Sequence, residues 1–291
     1  MHYNYDVTII VPGIRTKNWP ALYRETQKAC KKFSFELIFS GPFPLPLPLQ
    51  KEENIKYIQN YGSPTRSLHL ATLIAEGKFF TWVVDDSRVH PDSIDKALEL
   101  LFNHKPEKDL VCMRYSEGEL HWGLEQPESY WTAGFHDDLR LPGVNPSWLS
   151  SGFLLLGLSR YRELGGFDLA FEHINMNIHD FAFRAQKGGS MVYLSPMQIM
   201  SIDWDSTRSG KNCPVLEAFL EHDRPLFHKL YQDDSRPAVI DLENWRLSSP
   251  VWERRFKTPR RTRRSPRELL QKLVRRSKAV VKKIIRWQPN T

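Results

Sequence analysis

The chain has 291 residues, of which 41% are hydrophobic and 26% are charged, and its net charge at pH 7 is +7. This composition excludes a wholly disordered or collagen-like protein, and the length suits one large domain with extensions. No run of about 18 uncharged apolar residues occurs, so we expect no transmembrane helix. The first residues lack the basic and apolar regions of a secretory signal, so we expect a cytoplasmic protein.

Short apolar runs that end on turn or polar residues alternate with amphipathic stretches along the first part of the chain. This alternation predicts a doubly wound α/β sheet, in which ligands bind beyond the carboxyl ends of the strands. We therefore expect functional residues at Pro12 to Arg15, at Ser40 and Gly41, and at Asp85 to Ser87. The predicted strands are 7–13, 35–39, 55–58 and 78–84, and the predicted helices are 18–33, 63–75 and 91–103.

The pattern is less regular beyond residue 113. The sequence predicts an apolar strand at 151–158, helices at 159–164 and 179–187, and a further strand at 191–194. We expect three parts in the whole chain: a domain at 1–210, an extension packing on it at 211–257, and a basic linker with an amphipathic helix at 258–291.

Two adjacent carboxylates, Asp85 and Asp86, follow the most convincing apolar strand. Carboxylates that repel each other at a strand end are stabilised by a divalent cation, and hard oxygen ligands suit Mg²⁺ or Mn²⁺. The alternative is that Asp86 caps the helix beginning near Pro91, or that both acids are solvated loop residues. The dipeptide alone leaves the two interpretations open.

Four features occur in a fixed order, and together they carry a resemblance to a known family. They are the strand and loop at Val7 to Arg15, Asp85-Asp86-Ser87 with Pro91-Asp92 beyond it, the Gly165-Gly166-Phe167-Asp168 turn, and the segment Asp180 to Gly189. Over residues 5 to 205 the sequence resembles the family 2 glycosyltransferases. The resemblance implies the GT-A fold, a Rossmann-like mixed sheet flanked by helices, here with a C-terminal helical extension.

The resemblance also implies a nucleotide-diphosphate sugar donor, a divalent metal on its diphosphate, and inversion at the anomeric carbon. Asp180, on the helix that carries the family's acidic base motif, is the expected base, and a helix-terminal acid is the alternative. Asp203 lies near the place where relatives carry a metal-binding His. The residues expected to contact the donor are Pro12, Gly13, Arg15, Ser40, Arg66 and Asp85, and those expected to bind the metal are Asp86, Asp85 and Asp203.

Two departures from the family pattern affect these expectations. The second strand ends Ser40-Gly41-Pro42, without the acid that reads the nucleotide base in relatives. Alignment on Arg184 places the family's Glu-Asp pair on Asn177 and Ile178, and Asp180 on a later acid. Asp180 is then the base only if the helix is shifted locally.

The C-terminal segment differs sharply in charge from the rest of the chain. Fifteen Lys and Arg residues against one Glu give +14 between Arg254 and Arg286, which leaves −7 on the remaining residues. At helical spacing, residues 266–287 place Leu, Val and Ile on one face and Lys and Arg on the other. This pattern favours binding to an anionic membrane surface, while packing on the domain, a partner helix and nucleic acid remain alternatives; we expect no specific nucleic-acid partner.

The sequence thus predicts a glycosyltransferase of cell-surface polysaccharide synthesis that acts on a glycan or lipid-linked acceptor at the inner face of the membrane. Two rivals stay open. One is a catalytically inactive GT-A-like domain held at the membrane by its basic tail. The other is a sugar nucleotidyltransferase, for which the loop Pro12 to Lys17 is a poor phosphate-binding sequence.

Overall fold

The computed structural model describes residues 2–118, 129–131, 153–203, 218–233 and 235–241. All described strands belong to one mixed sheet of nine strands, in the order β3 (Ile55–Gln59), β2 (Phe35–Gly41), β1 (Tyr5–Pro12), β4 (Gly77–Trp82), β8 (Phe153–Gly157), β6 (Leu110–Gly118), β9 (Val192–Asp203) and β5 (Ser87–Val89), with β7 (Ser129–Trp131) paired to β6. Among the described residues, none of the helices combines the length and hydropathy needed to span a membrane. The chain divides between Lys257 and Thr258, and every described residue precedes that division.

Four parallel strands make up the first half of the sheet. Six consecutive residues of the central strand β1 are buried, because helices cover both faces of a parallel sheet. The elements of this half are β1 (Tyr5–Pro12), α1 (Trp19–Ala29), β2 (Phe35–Gly41), β3 (Ile55–Gln59), α2 (Pro64–Ile74) and β4 (Gly77–Trp82). Next in the chain are β5 (Ser87–Val89), which lies at the opposite edge of the sheet, and α3 (Ser93–Phe102).

The second half completes the sheet with strands of both directions. β8 runs antiparallel to β4 and β6, whereas β6 and β9 are parallel, so the fold is a mixed α/β sheet as predicted. The elements are β6 (Leu110–Gly118), β7 (Ser129–Trp131), β8 (Phe153–Gly157), α4 (Leu158–Glu163), α5 (Ile174–Lys187) and β9 (Val192–Asp203). A π-helical turn (Phe219–Asp223) then leads into α6 (Arg224–Leu230).

Two predicted boundaries are wrong by five residues or more, and one strand was not predicted. Helix α5 begins at Ile174, five residues earlier than expected, because His173 caps it by accepting a hydrogen bond from the Asn175 N–H. Strand β9 continues to Asp203 instead of ending at 194, because a bulge accommodates Pro196 where the register with β6 shifts. The short strand β5, absent from the prediction, pairs antiparallel with the extended part of β9.

A second, smaller core joins α5 to the helix that follows the π-helical turn. Phe227 stacks on Tyr231, with ring centroids 4.6 Å apart, and contacts Phe171 and Phe183. Farther along, the Ile240 N–H donates a hydrogen bond to the Leu164 carbonyl. The described part of the predicted extension at 211–257 therefore packs on the α/β sheet domain.

Candidate functional site

The carboxylate of Asp85 fixes the loop that follows β1. Its Oδ2 accepts the backbone N–H of Ile14 at 2.7 Å and also that of Arg15, and its Oδ1 lies 2.7 Å from the Arg15 guanidinium. The Asn18 side-chain amide donates to the Asp85 carbonyl at 2.8 Å. Asp85 is only 2% exposed, so the residue that ends the apolar β4 segment anchors the loop and the start of α1.

Two glycines allow the ends of β1, β2 and β4 to approach each other. A Cβ at Gly13 would lie 2.6 Å from Asp85 Oδ2, and one at Gly41 would lie 1.9 Å from the Gly13 carbonyl oxygen. The Gly13 N–H donates to the Ser40 carbonyl at 2.9 Å. Pro12, paired in register with Ser40, completes this close-packed edge. The structure thus brings together the sequence-predicted residues of the three strand ends.

The Ser40 side chain lies beneath this edge. Ser40 is fully buried, and its hydroxyl has no hydrogen-bond partner among the described residues. No acid follows it, in agreement with the departure noted in the sequence. Because Ser40 is fully buried in this conformation, a nucleotide would contact the main chain of Gly13 before the Ser40 hydroxyl. Ser40 as a donor contact stays a prediction.

Asp86 lies beside the anchored loop but has a different environment from Asp85. Its carboxylate is 3.3 Å from the second guanidinium nitrogen of Arg15, and its side chain is 9% exposed. Ser87 and Ile202 face each other across the antiparallel β5–β9 pair. The neighbouring residues Asp86 and Asp203 therefore lie at the same end of that pair, which places the backbones of two predicted metal ligands together.

The donor set fits a divalent cation held by few protein ligands. The carboxylate of Asp85 bonds the loop, which leaves Asp86 as the acid of the pair that could hold the ion, with the backbone of Asp203 opposite it across the β5–β9 pair. Mg²⁺ needs only one or two carboxylates when substrate phosphates supply further oxygens. Within the described ranges no group of three or more His, Cys, Asp or Glu residues is arranged around a metal position. A metal ion at this position would therefore need oxygen ligands from substrate phosphates as well as from the protein.

Arg66 lies at the same edge of the sheet. It occupies the first turn of α2, whose N-cap is Ser63, with the Ser63 hydroxyl accepting the Arg66 N–H at 3.2 Å. Because β1, β2 and β3 are parallel and α2 follows β3, the start of α2 lies beyond the carboxyl ends of these strands. A helix N-terminus and a guanidinium both favour negative charge, which suits a diphosphate.

Asp180 lies elsewhere, in a buried ionic cluster. Its Oδ2 accepts from Arg184 Nε at 2.8 Å, and its Oδ1 accepts from Arg236 Nε at 2.9 Å and from the Tyr231 hydroxyl at 3.0 Å. Burial disfavours the charged carboxylate, but the guanidiniums of Arg184 and Arg236 outweigh burial and hold the pKa of Asp180 below its ordinary value. Asp180 is fully buried and both its oxygens are bonded, whereas a base must reach the acceptor hydroxyl.

Arg236 extends this cluster to the Gly-Gly-Phe-Asp turn. Its guanidinium also contacts Asp168 at 2.7 Å, while Arg184 donates to the Leu164 carbonyl at 2.8 Å. Through Arg184 and Arg236, Asp180 links α5 to the turn and to the C-terminal segment. Its role as base stays a prediction. Arg236 and Tyr231 could not be identified from the sequence, because they follow Asp180 by more than fifty residues without any motif.

No family model and no curated protein matches the chain. Solved structures do match. A match covers 77% of the chain and 64% of S. aureus TarS 1–349, with a TM-score of 0.52 and 16% identity. Another covers 77% of the chain and 50% of GalNAc-T7, solved with UDP, GalNAc and Mn²⁺, with a TM-score of 0.52 and 11% identity.

The chain has the GT-A glycosyltransferase fold. At this level of identity the similarity shows the fold alone, and it confirms the fold that the resemblance implied. The chain spans less than two thirds of the length of either solved chain. The GT-A fold places the Asp85 loop and Asp86 at the carboxyl edge of the sheet, where such sheets bind their ligands.

The two adjacent acids should differ in their effect on stability. Asp85→Ala removes the acceptor of two backbone N–H groups and an arginine, and we expect the free energy of unfolding to fall by about 3 kcal/mol. Asp86→Ala is the matched control, because the Ile14 and Arg15 N–H groups bond Asp85 instead, and its loss should cost about 1 kcal/mol. Urea denaturation of both variants measures the difference, and equal losses would contradict the anchoring role of Asp85.

The Asp180 cluster should be structural. Asp180→Asn removes the carboxylate partner of the fully buried Arg184 and one of the two carboxylates that Arg236 contacts, so we expect a loss of about 3 kcal/mol in the free energy of unfolding. Glu53→Gln, at an exposed acid, is the control and should change little. If Asp180→Asn unfolds like the wild type but loses roughly 100-fold or more in sugar transfer, Asp180 is the base and the structural account is wrong.

Proposed function

We propose that the chain is a glycosyltransferase that moves a sugar from a nucleotide-diphosphate donor to a hydroxyl group. The observation that carries the proposal is the pair formed by the Asp85-anchored loop and Asp86 at the carboxyl edge of a GT-A sheet. GalNAc-T7, which shares this fold, was solved with UDP and Mn²⁺, and this supports a uridine nucleotide as the first donor to test.

The donor is held by residues around the strand ends. In this proposal the nucleoside lies over the main chain at Pro12 and Gly13, where the glycine leaves no side chain in the way. The diphosphate lies toward Arg15 and Arg66, whose guanidiniums match phosphate oxygens. Arg15 is partly exposed and already paired with both acids, so a bound diphosphate would compete with Asp86 for its second nitrogen.

A divalent metal, Mn²⁺ or Mg²⁺, would be held by Asp86 and Asp203. Bound there, the ion would neutralise the charge that develops on the leaving diphosphate. The protein's own part is to bring the backbones of Asp86 and Asp203 to the same end of the β5–β9 pair and to engage the Asp85 carboxylate in the loop. The reaction is direct displacement, with inversion at the anomeric carbon.

The acceptor is a glycan or a lipid-linked glycan of cell-surface polysaccharide synthesis. This part of the proposal is supported by the basic amphipathic sequence at 266–287, which lies outside the described residues. A tail that binds an anionic surface would place the enzyme peripherally on the inner face of the membrane, beside lipid-linked acceptors.

The rival functions make different predictions for the same binding experiment. An inactive GT-A-like domain, favoured by the absent Glu-Asp pair, would leave the donor unhydrolysed. A sugar nucleotidyltransferase would bind a nucleoside triphosphate with a sugar phosphate. Calorimetry and product analysis with UDP-glucose, UDP-N-acetylglucosamine and GDP-mannose, each with and without Mn²⁺, distinguish the three.

Asp86 should control the metal-dependent part of donor binding. In Asp86→Ala we expect the Mn²⁺-dependent gain in donor affinity to disappear while the melting temperature falls by only a few degrees, because the backbone N–H groups of the loop bond Asp85 and not Asp86. Calorimetric titration of UDP-sugars with Mn²⁺ measures the effect, and Glu107→Ala, at an exposed acid before β6, is the control. Unchanged affinity in Asp86→Ala would remove Asp86 from the site.

The tail should bind membranes through charge and apolar contact together. Each Lys or Arg near an anionic surface contributes about 1 kcal/mol, screened by salt, whereas burial of the Leu, Val and Ile face is not screened. We expect the full chain to sediment with anionic liposomes, more weakly but still measurably at high salt.

The matched variant for this experiment is the chain truncated after Arg255, which should stay in the supernatant and keep donor binding. Equal sedimentation of both proteins would exclude the tail as the anchor. Complete loss of binding in moderate salt would mean that charge acts alone, and would favour a polyanion such as nucleic acid.

A further inference from the structure

The residues that precede α5 lie at the same edge of the sheet as the donor site. Thr65, in the first turn of α2, donates its hydroxyl hydrogen to the Glu172 carbonyl at 3.3 Å. Because α2 begins directly after the parallel strand β3, this contact places Glu172 and His173 beyond the carboxyl ends of the strands. The N-terminus of α5 is therefore part of the site edge, although Asp180 lies one to two turns further into the helix.

The π-helical turn at Phe219–Asp223 is fastened to this point. The buried carboxylate of Asp223 accepts the Glu172 N–H at 3.0 Å and the His173 N–H beside it. The Phe219 ring packs on the His173 ring, with centroids 5.3 Å apart. π-Helical turns are rare and occur frequently at functional sites, where the extra residue re-aims a side chain.

The histidine of this turn is His222. Its Nδ1 lies 2.8 Å from Asp223 Oδ1, and its side chain is 41% exposed while that of Asp223 is fully buried. A carboxylate that accepts the Nδ1–H fixes the imidazole tautomer and leaves the Nε2 lone pair available on the exposed side. Among the described residues no group hydrogen-bonds Nε2.

We propose that His222, oriented by Asp223, is the general base that takes the proton of the attacking hydroxyl. This inference rests on the proposed function and supplies a base that the family motif does not. The hydroxyl proton passes to His222 Nε2, and the oxygen forms a bond to the anomeric carbon. The bond from that carbon to the diphosphate oxygen breaks, and its electron pair leaves with the nucleoside diphosphate. Asp223 is a positioning residue, because it acts through His222.

The other histidines near α5 do not fit this role. His173 is half-buried, its Nδ1 accepts the Asn175 N–H as the helix cap, and desolvation lowers its pKa to about 4. His179 is 1% exposed, within the helix. His222 is thus the histidine of this group with an exposed ring and a carboxylate partner.

The test uses the full chain and water as the acceptor, since hydrolysis of the donor needs the same proton acceptor. Release of nucleoside diphosphate from UDP-glucose, UDP-N-acetylglucosamine and GDP-mannose is measured with Mn²⁺. In His222→Ala we expect hydrolysis to fall by about 100-fold or more, with donor affinity and melting temperature unchanged. Added imidazole should restore part of the rate.

Two further variants serve as controls. His222→Gln keeps a side chain that can donate to Asp223 but cannot act as the base, so it should be as slow as His222→Ala. His228→Ala removes an exposed histidine on α6 and should keep the wild-type rate. Wild-type hydrolysis by His222→Ala, with normal donor binding, overturns this inference alone. A wild-type chain that binds none of the three donors overturns the proposed function and this inference together.

Discussion

The buried carboxylate of Asp85 is the interaction on which the site edge depends. It joins the end of the β4 segment to the loop after β1 by accepting two backbone N–H groups and an arginine, in a position that is 2% exposed. A buried carboxylate is stable only when hydrogen bonds and a positive partner replace its water, and here the loop supplies both. The same contacts set where Gly13, Arg15 and Asp86 lie.

The two adjacent acids, Asp85 and Asp86, therefore have different roles. The carboxylate of Asp85 bonds the loop, so Asp86 is the acid that can bind a ligand. Asp86 lies at the end of the β5–β9 strand pair, near Asp203. From sequence both acids were expected to bind the metal, and Asp85 was also expected to contact the donor. The side-chain direction at the strand end, which distinguishes them, depends on the loop from β1 folding back over β4, about seventy residues away in sequence.

The elements that could be predicted are those with a clear local pattern of apolar residues. Uninterrupted apolar runs closed by Pro-Gly or by acids identified β1, β2 and β4 and the edge where they end. The continuation of β9 beyond Pro196 could not be predicted, because a proline breaks the pattern unless a bulge accommodates it. The partners of Asp180 were missed for another reason. Tyr231 and Arg236 reach it only through the packing of the C-terminal segment, and no periodicity records such a contact.

The C-terminal segment thus contributes to the GT-A domain in two ways. Arg236 completes a buried ionic cluster that holds α5 against the Gly-Gly-Phe-Asp turn, and the π-helical turn brings His222 to the start of the same helix. Both contacts depend on residues beyond the part of the chain that resembles the family. Through His222, a chain without the Glu-Asp pair could still present a proton acceptor near its proposed donor site.

The central claim is that a nucleoside diphosphate binds at the carboxyl edge beside the Asp85-anchored loop. A crystal structure of the full chain with UDP and Mn²⁺ tests it most directly. The account predicts the uridine over Pro12 and Gly13 and the diphosphate beside Asp86, with Asp85 still bonded to the loop. Nucleotide bound away from this edge, or a diphosphate with no contact to Asp86 or its metal, would contradict the account.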